Sequence, residues 1–169
     1  ELRYLGGGTS GTGGTVIGTY LTGPNGAFTV TNLEKGTYIC QEIESDGNHI
    51  IDREPQTVWI SGEDQDVVTL RFGNAPLGSL LITKLSDDSK HEPLSGVEFL
   101  LTDSSGHYLG NDNGRFTTNA AGEILVDGLE PGMTVIAREV RAKTGYLLDD
   151  SPQHALIKSG ETAHLQFLN

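Results

Sequence analysis

The stretch Gly78-Ser79-Leu80-Leu81-Ile82-Thr83-Lys84 alternates as a β-strand does and ends on a charge. Leu80, Ile82 and Lys84 share one parity, so a strand here points the ammonium the same way as two core side chains. Thr83 faces out. A lysine aimed into a core is costly unless it pairs, gives up its proton or reacts. The rest of the chain is read for what Lys84 meets.

Short alternating runs separated by Gly, Asn, Asp and Pro recur along all 169 residues, 23 of them Gly. No window shows apolar spacing at 3, 4 and 7, so the pattern predicts an all-β protein of packed sheets rather than helices. The formal charge of −12 argues against nucleic acid and anionic membranes as partners, because a phosphate-binding face needs clustered Lys and Arg. A single cysteine, Cys40, excludes an intrachain disulfide. No signal peptide, transmembrane run or sorting motif is visible. Glu1 falls in strand-like sequence (Glu1-Leu2-Arg3-Tyr4), which reads as part of a longer chain.

Reading forward, Gly6 to Gly14 is a glycine-rich hairpin loop; it lacks the Gly-Lys-Ser/Thr ending of a phosphate loop. Strands are expected at Thr15–Tyr20, Ala27–Leu33, Thr37–Ile43, Val58–Ile60 and Val67–Asn74, and Ala75-Pro76-Leu77 is a stiff junction. The second half then repeats the first. Thr22-Gly23-Pro24-Asn25-Gly26 through Asn32-Leu33-Glu34-Lys35-Gly36 matches Thr118-Asn119-Ala120-Ala121-Gly122 through Gly128-Leu129-Glu130-Pro131-Gly132 at a constant offset of 96. Glu42 aligns with Glu139 after one inserted residue near Met133, Pro55-Gln56 with Pro152-Gln153, and Phe72-Gly73-Asn74 with Phe167-Leu168-Asn169. Two tandem domains follow, 1–76 and 77–169, the first lacking its N-terminal strand.

In the second copy three polar residues occupy apolar positions. Glu139 follows Val135 and Ala137, Asn169 follows Leu165 and Phe167, and Lys84 follows Leu80 and Ile82. Burial drives a lysine toward the neutral amine and a glutamate toward the protonated acid, while Asn169 supplies a carboxamide carbon. Held in contact, the three can condense to a Lys–Asn isopeptide bond with loss of ammonia, Glu139 shuttling the proton. They can equally form a satisfied ion pair of Lys84 with Glu139, with Asn169 capping a strand edge.

The run Leu80–Lys84, the segments Pro93-Leu94-Ser95-Gly96-Val97-Glu98-Phe99 and Gly128–Gly132, Arg138-Glu139-Val140, Thr144-Gly145-Tyr146-Leu147-Leu148 and the closing Phe167-Leu168-Asn169 together resemble the Cna B-type domains of Gram-positive surface proteins. That resemblance implies prealbumin-like β-sandwiches, as in pilins and adhesin stalks. It also implies an autocatalytic cross-link with Lys84 as nucleophile, Asn169 as acceptor and Glu139 as catalytic acid/base. The expected function is a structural stalk or shaft segment with no turnover, no cofactor and no metal. Such a segment is extracellular, anchored to the cell wall through other parts of its parent, with neighbouring domains of that protein as partners. The alternative is an adhesive module recognising a host matrix protein or glycan, for which Tyr4, Tyr20, Trp59 and Tyr108 are the scattered candidates; a lone strand Trp is expected in the core. A transthyretin-like enzyme or carrier is a weaker option, with no catalytic set visible.

The first copy holds an acid, Glu42, and an acceptor, Asn74, but its only lysine, Lys35, lies in a turn. By alignment its lysine would precede residue 1, carried by an upstream strand or supplied by another chain, or else this half forms no bond. Elsewhere, His49, His91, His107, His154 and His164 show no ligand spacing. Asn111-Asp112-Asn113-Gly114 lacks the trailing glutamate of a calcium loop and reads as a turn. Asp87-Asp88 reads as a solvated pair, and Cys40 as a small core residue.

Overall fold

A computed structural model describes residues 1–6, 14–63 and 67–169; residues 7–13 of the expected glycine-rich loop lie outside them. The described residues form strands and turns and no helix, so none is long and apolar enough to cross a membrane. They divide into two compact units, Glu1–Gly47 with Ile51–Asn74 and Asn48–Ile50 with Ala75–Asn169.

The second unit has two sheets. Strands β5 (Gly78–Leu85), β8 (Glu123–Leu129) and β11 (Thr162–Leu168) form one, in the order β11-β5-β8; β6 (Glu98–Asp103), β7 (Arg115–Thr117), β9 (Thr134–Arg141) and β10 (Gln153–Leu156) form the other, in the order β10-β9-β6-β7. Leu80, Ile82 and Phe167 from the first sheet join Phe99, Leu101, Val135 and Ala137 from the second in one buried cluster, so the sheets pack face to face. In β5, buried and partly buried residues alternate without a break from Gly78 to Leu85. It is the central strand, antiparallel to β8 and parallel to β11, with Phe167 opposite Lys84. A glycine is required at Gly122. Its φ is +72°, and an added Cβ would come within 2.5 Å of the Lys84 carbonyl oxygen, which leaves no room for a side chain.

The first unit holds one sheet among its described residues, β2-β1-β3-β4, built from β1 (Leu2–Gly6), β2 (Thr15–Gly18), β3 (Gly36–Cys40) and β4 (Gln56–Ile60). Its strands match β7-β6-β9-β10 of the second unit in order and direction. The repeat extends to the turns. Asn32 takes a φ of 58° where Gly128 has 74°, and Gly26 and Gly122 both have 72°.

Three expectations need correction. The strands expected at Ala27–Leu33 and Val67–Asn74 do not form ladders. Their counterparts β8 and β11 each bond to β5, whereas no described strand stands between these two segments to take their backbone groups. The expected Thr37–Ile43 strand ends at Cys40, leaving Glu42 just beyond β3. Trp59 is 49 % exposed rather than in the core, because Val58 and Ile60 occupy the inner parity of β4.

Candidate cross-linking site

Lys84 and Glu139 are both fully buried, on β5 and β9 of opposing sheets. Lys84 Nζ lies 3.2 Å from Glu139 Oε2, and neither atom has another partner. Asn169, one residue past β11, donates from Nδ2 to Glu139 Oε1 at 2.7 Å, while its buried Oδ1 has no partner. One carboxylate thus spans the amine and the amide. Burial pushes the Lys84 ammonium below the usual lysine value, with the Glu139 charge opposing the shift.

The backbone fixes both ends of this set. Lys84 donates its N–H to Gly122 and accepts from Leu94 N–H at 2.9 Å. Asn169 donates to the Leu85 carbonyl at 3.1 Å and accepts from Asp87 N–H at 2.6 Å. Asp87 and Asp88 both lie exposed in a loop, where Asp88 accepts from Ser86 Oγ and from two backbone N–H groups. An aromatic pair walls the site. Phe99 is the register partner of Glu139 and Phe167 that of Lys84, and their rings meet edge-on with centroids 4.8 Å apart. Sequence reading missed this wall; its signal is parity, since both rings share the inward face with the residues they flank.

The first unit builds the same acid–amide contact. Asn74 donates from Nδ2 to Glu42 Oε1 at 2.5 Å, and Asn74 Oδ1 is buried without a partner. Where Glu139 Oε2 faces a lysine, Glu42 Oε2 accepts the backbone N–H of Asp52 at 2.7 Å. That donor carries no side-chain signal in the sequence. Lys35 is exposed at the start of β3 while Glu42 follows its end, a separation on the order of 20 Å at the rise of a strand. The structure therefore brings together Lys84, Glu139 and Asn169, and Glu42 with Asn74, and leaves Lys35 apart.

A family model described as the SpaA prealbumin-like fold domain matches residues 8–76 and again 78–169. The chain belongs to this family. Among solved structures, this SpaA-family chain is similar to the Bacillus anthracis TIE protein, at 21% identity and a TM-score of 0.50, covering 81% of this chain and 25% of that one. It is also similar to GBS52, the minor pilin of Streptococcus agalactiae (20% identity, TM-score 0.49, 88% of this chain and 65% of that one). A streptococcal ancillary pilin matches at 28% identity and a TM-score of 0.45, over 92% of this chain and 48% of that one. The chain spans between a quarter and two thirds of the length of these proteins. No curated protein matches it at a significant level.

The remaining candidates do not assemble. Among the described residues no three His, Cys, Asp or Glu side chains converge as a metal site. Cys40 is buried and free, and burial pushes its thiol up, away from a nucleophile's range. Residues 110–114, with Asn113 at a φ of 47°, form a turn. Trp59 and Tyr108 are exposed but belong to different units.

Proposed function

We propose that this chain is a load-bearing segment of a Gram-positive surface stalk or pilus shaft. In this reading its two repeats, 1–76 and 77–169, are tandem domains, and the second is closed by a self-formed Lys84–Asn169 isopeptide bond. The chain lies outside the cell, held by other parts of its parent, with neighbouring domains of that protein as its partners. The observation that carries the reading is the fully buried Lys84–Glu139 pair with Asn169 on the other carboxylate oxygen. A buried ion pair is weak support for stability by itself, because desolvation offsets its attraction. A reaction that consumes both charges gives it a purpose.

The chemistry follows from the contacts. Lys84 passes a proton to Glu139 Oε2, leaving a neutral amine beside a neutral acid. The amine attacks Asn169 Cγ, and a half turn of the amide about Cβ–Cγ sets Oδ1 against the protonated acid, which polarises the carbonyl. The new C–N bond forms as the bond from Cγ to Nδ2 breaks, and protons carried by Glu139 leave with that nitrogen as ammonia. Fixed proximity supplies much of the rate, since all three groups are held by paired strands.

Intact mass of the purified chain tests the reading: it should fall short of the calculated value by one ammonia. The full calculated mass sinks it. Glu139→Ala should restore the ammonia, and a variant that keeps the bond refutes the role given to Glu139.

A further inference from the structure

The outer face of the sheet β10-β9-β6-β7 gathers positive charge in a chain whose net charge is −12. Leu100 is the register partner of both Arg115 and Arg138, so these three side chains form one row across β7, β6 and β9. Glu98 stands opposite Arg141 in the next row. Phe99 and Leu101 take the inner parity of β6, and Ala137 and Glu139 that of β9, which turns the arginine row outward. Glu98 is ion-paired to Arg115 and Arg141 together, while Arg138 is exposed and forms no ion pair among the described residues. Three guanidiniums against one carboxylate leave a surplus of two positive charges. Beside them on the same face lie Ile136 and Leu156, the latter 57 % exposed. The fold does not demand these arginines, since the matching positions of the first unit hold Val16, Gln41 and Glu44.

The complement lies in the same unit. Between β9 and β10 the segment Leu147-Leu148-Asp149-Asp150 is exposed throughout, Leu147 at 89 %. Tyr146 packs on the core and anchors its start, leaving both leucines outside. Asp149 accepts from Ser151 N–H, and neither aspartate forms an ion pair among the described residues. We infer that two copies of this chain associate through the second unit, each seating its 147–150 segment on the other's arginine face. The charges balance, two carboxylates against a surplus of two guanidiniums, and the leucines meet Leu100, Ile136 and Leu156 instead of water. Arginine suits the contact because its planar fork takes a carboxylate through two parallel hydrogen bonds. The acidic loop leaves β9 directly after Arg141, so face and loop are neighbours. Two copies related by a two-fold axis satisfy both at once, and the contact closes as a dimer. The net negative charge keeps copies apart at a distance, but at physiological salt that repulsion is screened beyond about 8 Å, so the paired charges decide at contact. A loop on a sheet face is a small contact, and the dimer forms reversibly. None of these groups belongs to the set of Lys84, Glu139 and Asn169, so the association does not depend on the cross-link.

Sedimentation equilibrium of the full chain at physiological salt, taken up to millimolar concentration, reads the association directly, and a reversible monomer–dimer equilibrium is expected. Arg138→Glu and Asp150→Arg change two exposed side chains that have no ion pair in their own chain. Each should weaken the dimer on the order of tenfold or more, with an unchanged circular dichroism spectrum and melting temperature. Mixing the two variants brings the intact acidic loop of one to the intact arginine face of the other. The mixture should therefore dimerise more tightly than either variant alone. Leu147→Ser should also weaken the dimer, by removing an apolar contact. A chain that stays monomeric throughout overturns the inference. A dimer unmoved by both charge reversals places the contact elsewhere and overturns it equally. A mixture no tighter than its components refutes the pairing of face with loop, and assemblies that grow past the dimer refute the two-fold arrangement.

Discussion

Lys84 sits where no water can solvate it, with one carboxylate for company. Its pKa is lowered below the ordinary 10.5, first by burial, so the folded chain holds this proton less tightly than the unfolded chain does. The unfolded state therefore binds more protons in the window that ends at 10.5, and the stability of an unlinked chain rises with pH across it. Asn169→Ala, which removes the acceptor, should show this rise in thermal melts as the pH climbs toward 10.5; adding Lys84→Met should flatten it. A flat profile in the single variant contradicts a depressed lysine. Glu139→Ala removes the partner of a buried charge and the catalyst together. Losing a link across 85 residues costs roughly 4–5 kcal/mol by the loop-entropy rule. The second unit's Tm should then fall by on the order of 20 °C. All three residues were legible from sequence because each breaks an alternation that its neighbours keep. Asp52 was not, because a backbone N–H is the same in every residue.

Parity is what β5 contributes as an element. Its central place in β11-β5-β8 is set by Leu80 and Ile82 facing the core, and Lys84 is carried inward with them. Exchanging the last two residues of the run, Thr83→Lys with Lys84→Thr, keeps the composition but turns the amine to the outer face. The doubly substituted chain should have its full calculated mass and melt below the unsubstituted one; retention of the ammonia loss would mean that strand parity does not deliver the nucleophile. Strand existence was legible wherever a partner was present, as in β5, β9 and β11. It was misread at 27–33 and 67–74 because an alternating pattern gives a segment a face but no neighbour. A ladder needs both, since each unpaired backbone group buried without water costs about as much as a lost hydrogen bond.

At the scale of the whole chain, two repeats of one fold differ in what closes them. The second has two sheets and an acid, an amide and an amine in contact; the first has one sheet among its described residues and an acid–amide pair. Calorimetry should therefore show two transitions, the lower one belonging to the first unit. Force should separate them more sharply. Pulled by its two ends, the chain feeds tension into the second unit near β5 and takes it out past β11, and a Lys84–Asn169 bond carries that load directly across adjacent parallel strands. The 84 residues between these positions would then contribute no length. In Lys84→Met the same residues are free to extend, adding about 280–300 Å at 3.3–3.6 Å per residue. Single-molecule stretching should show that increment in the variant alone. Its appearance in the unsubstituted chain would mean that the second unit bears load by packing and not by a covalent bond.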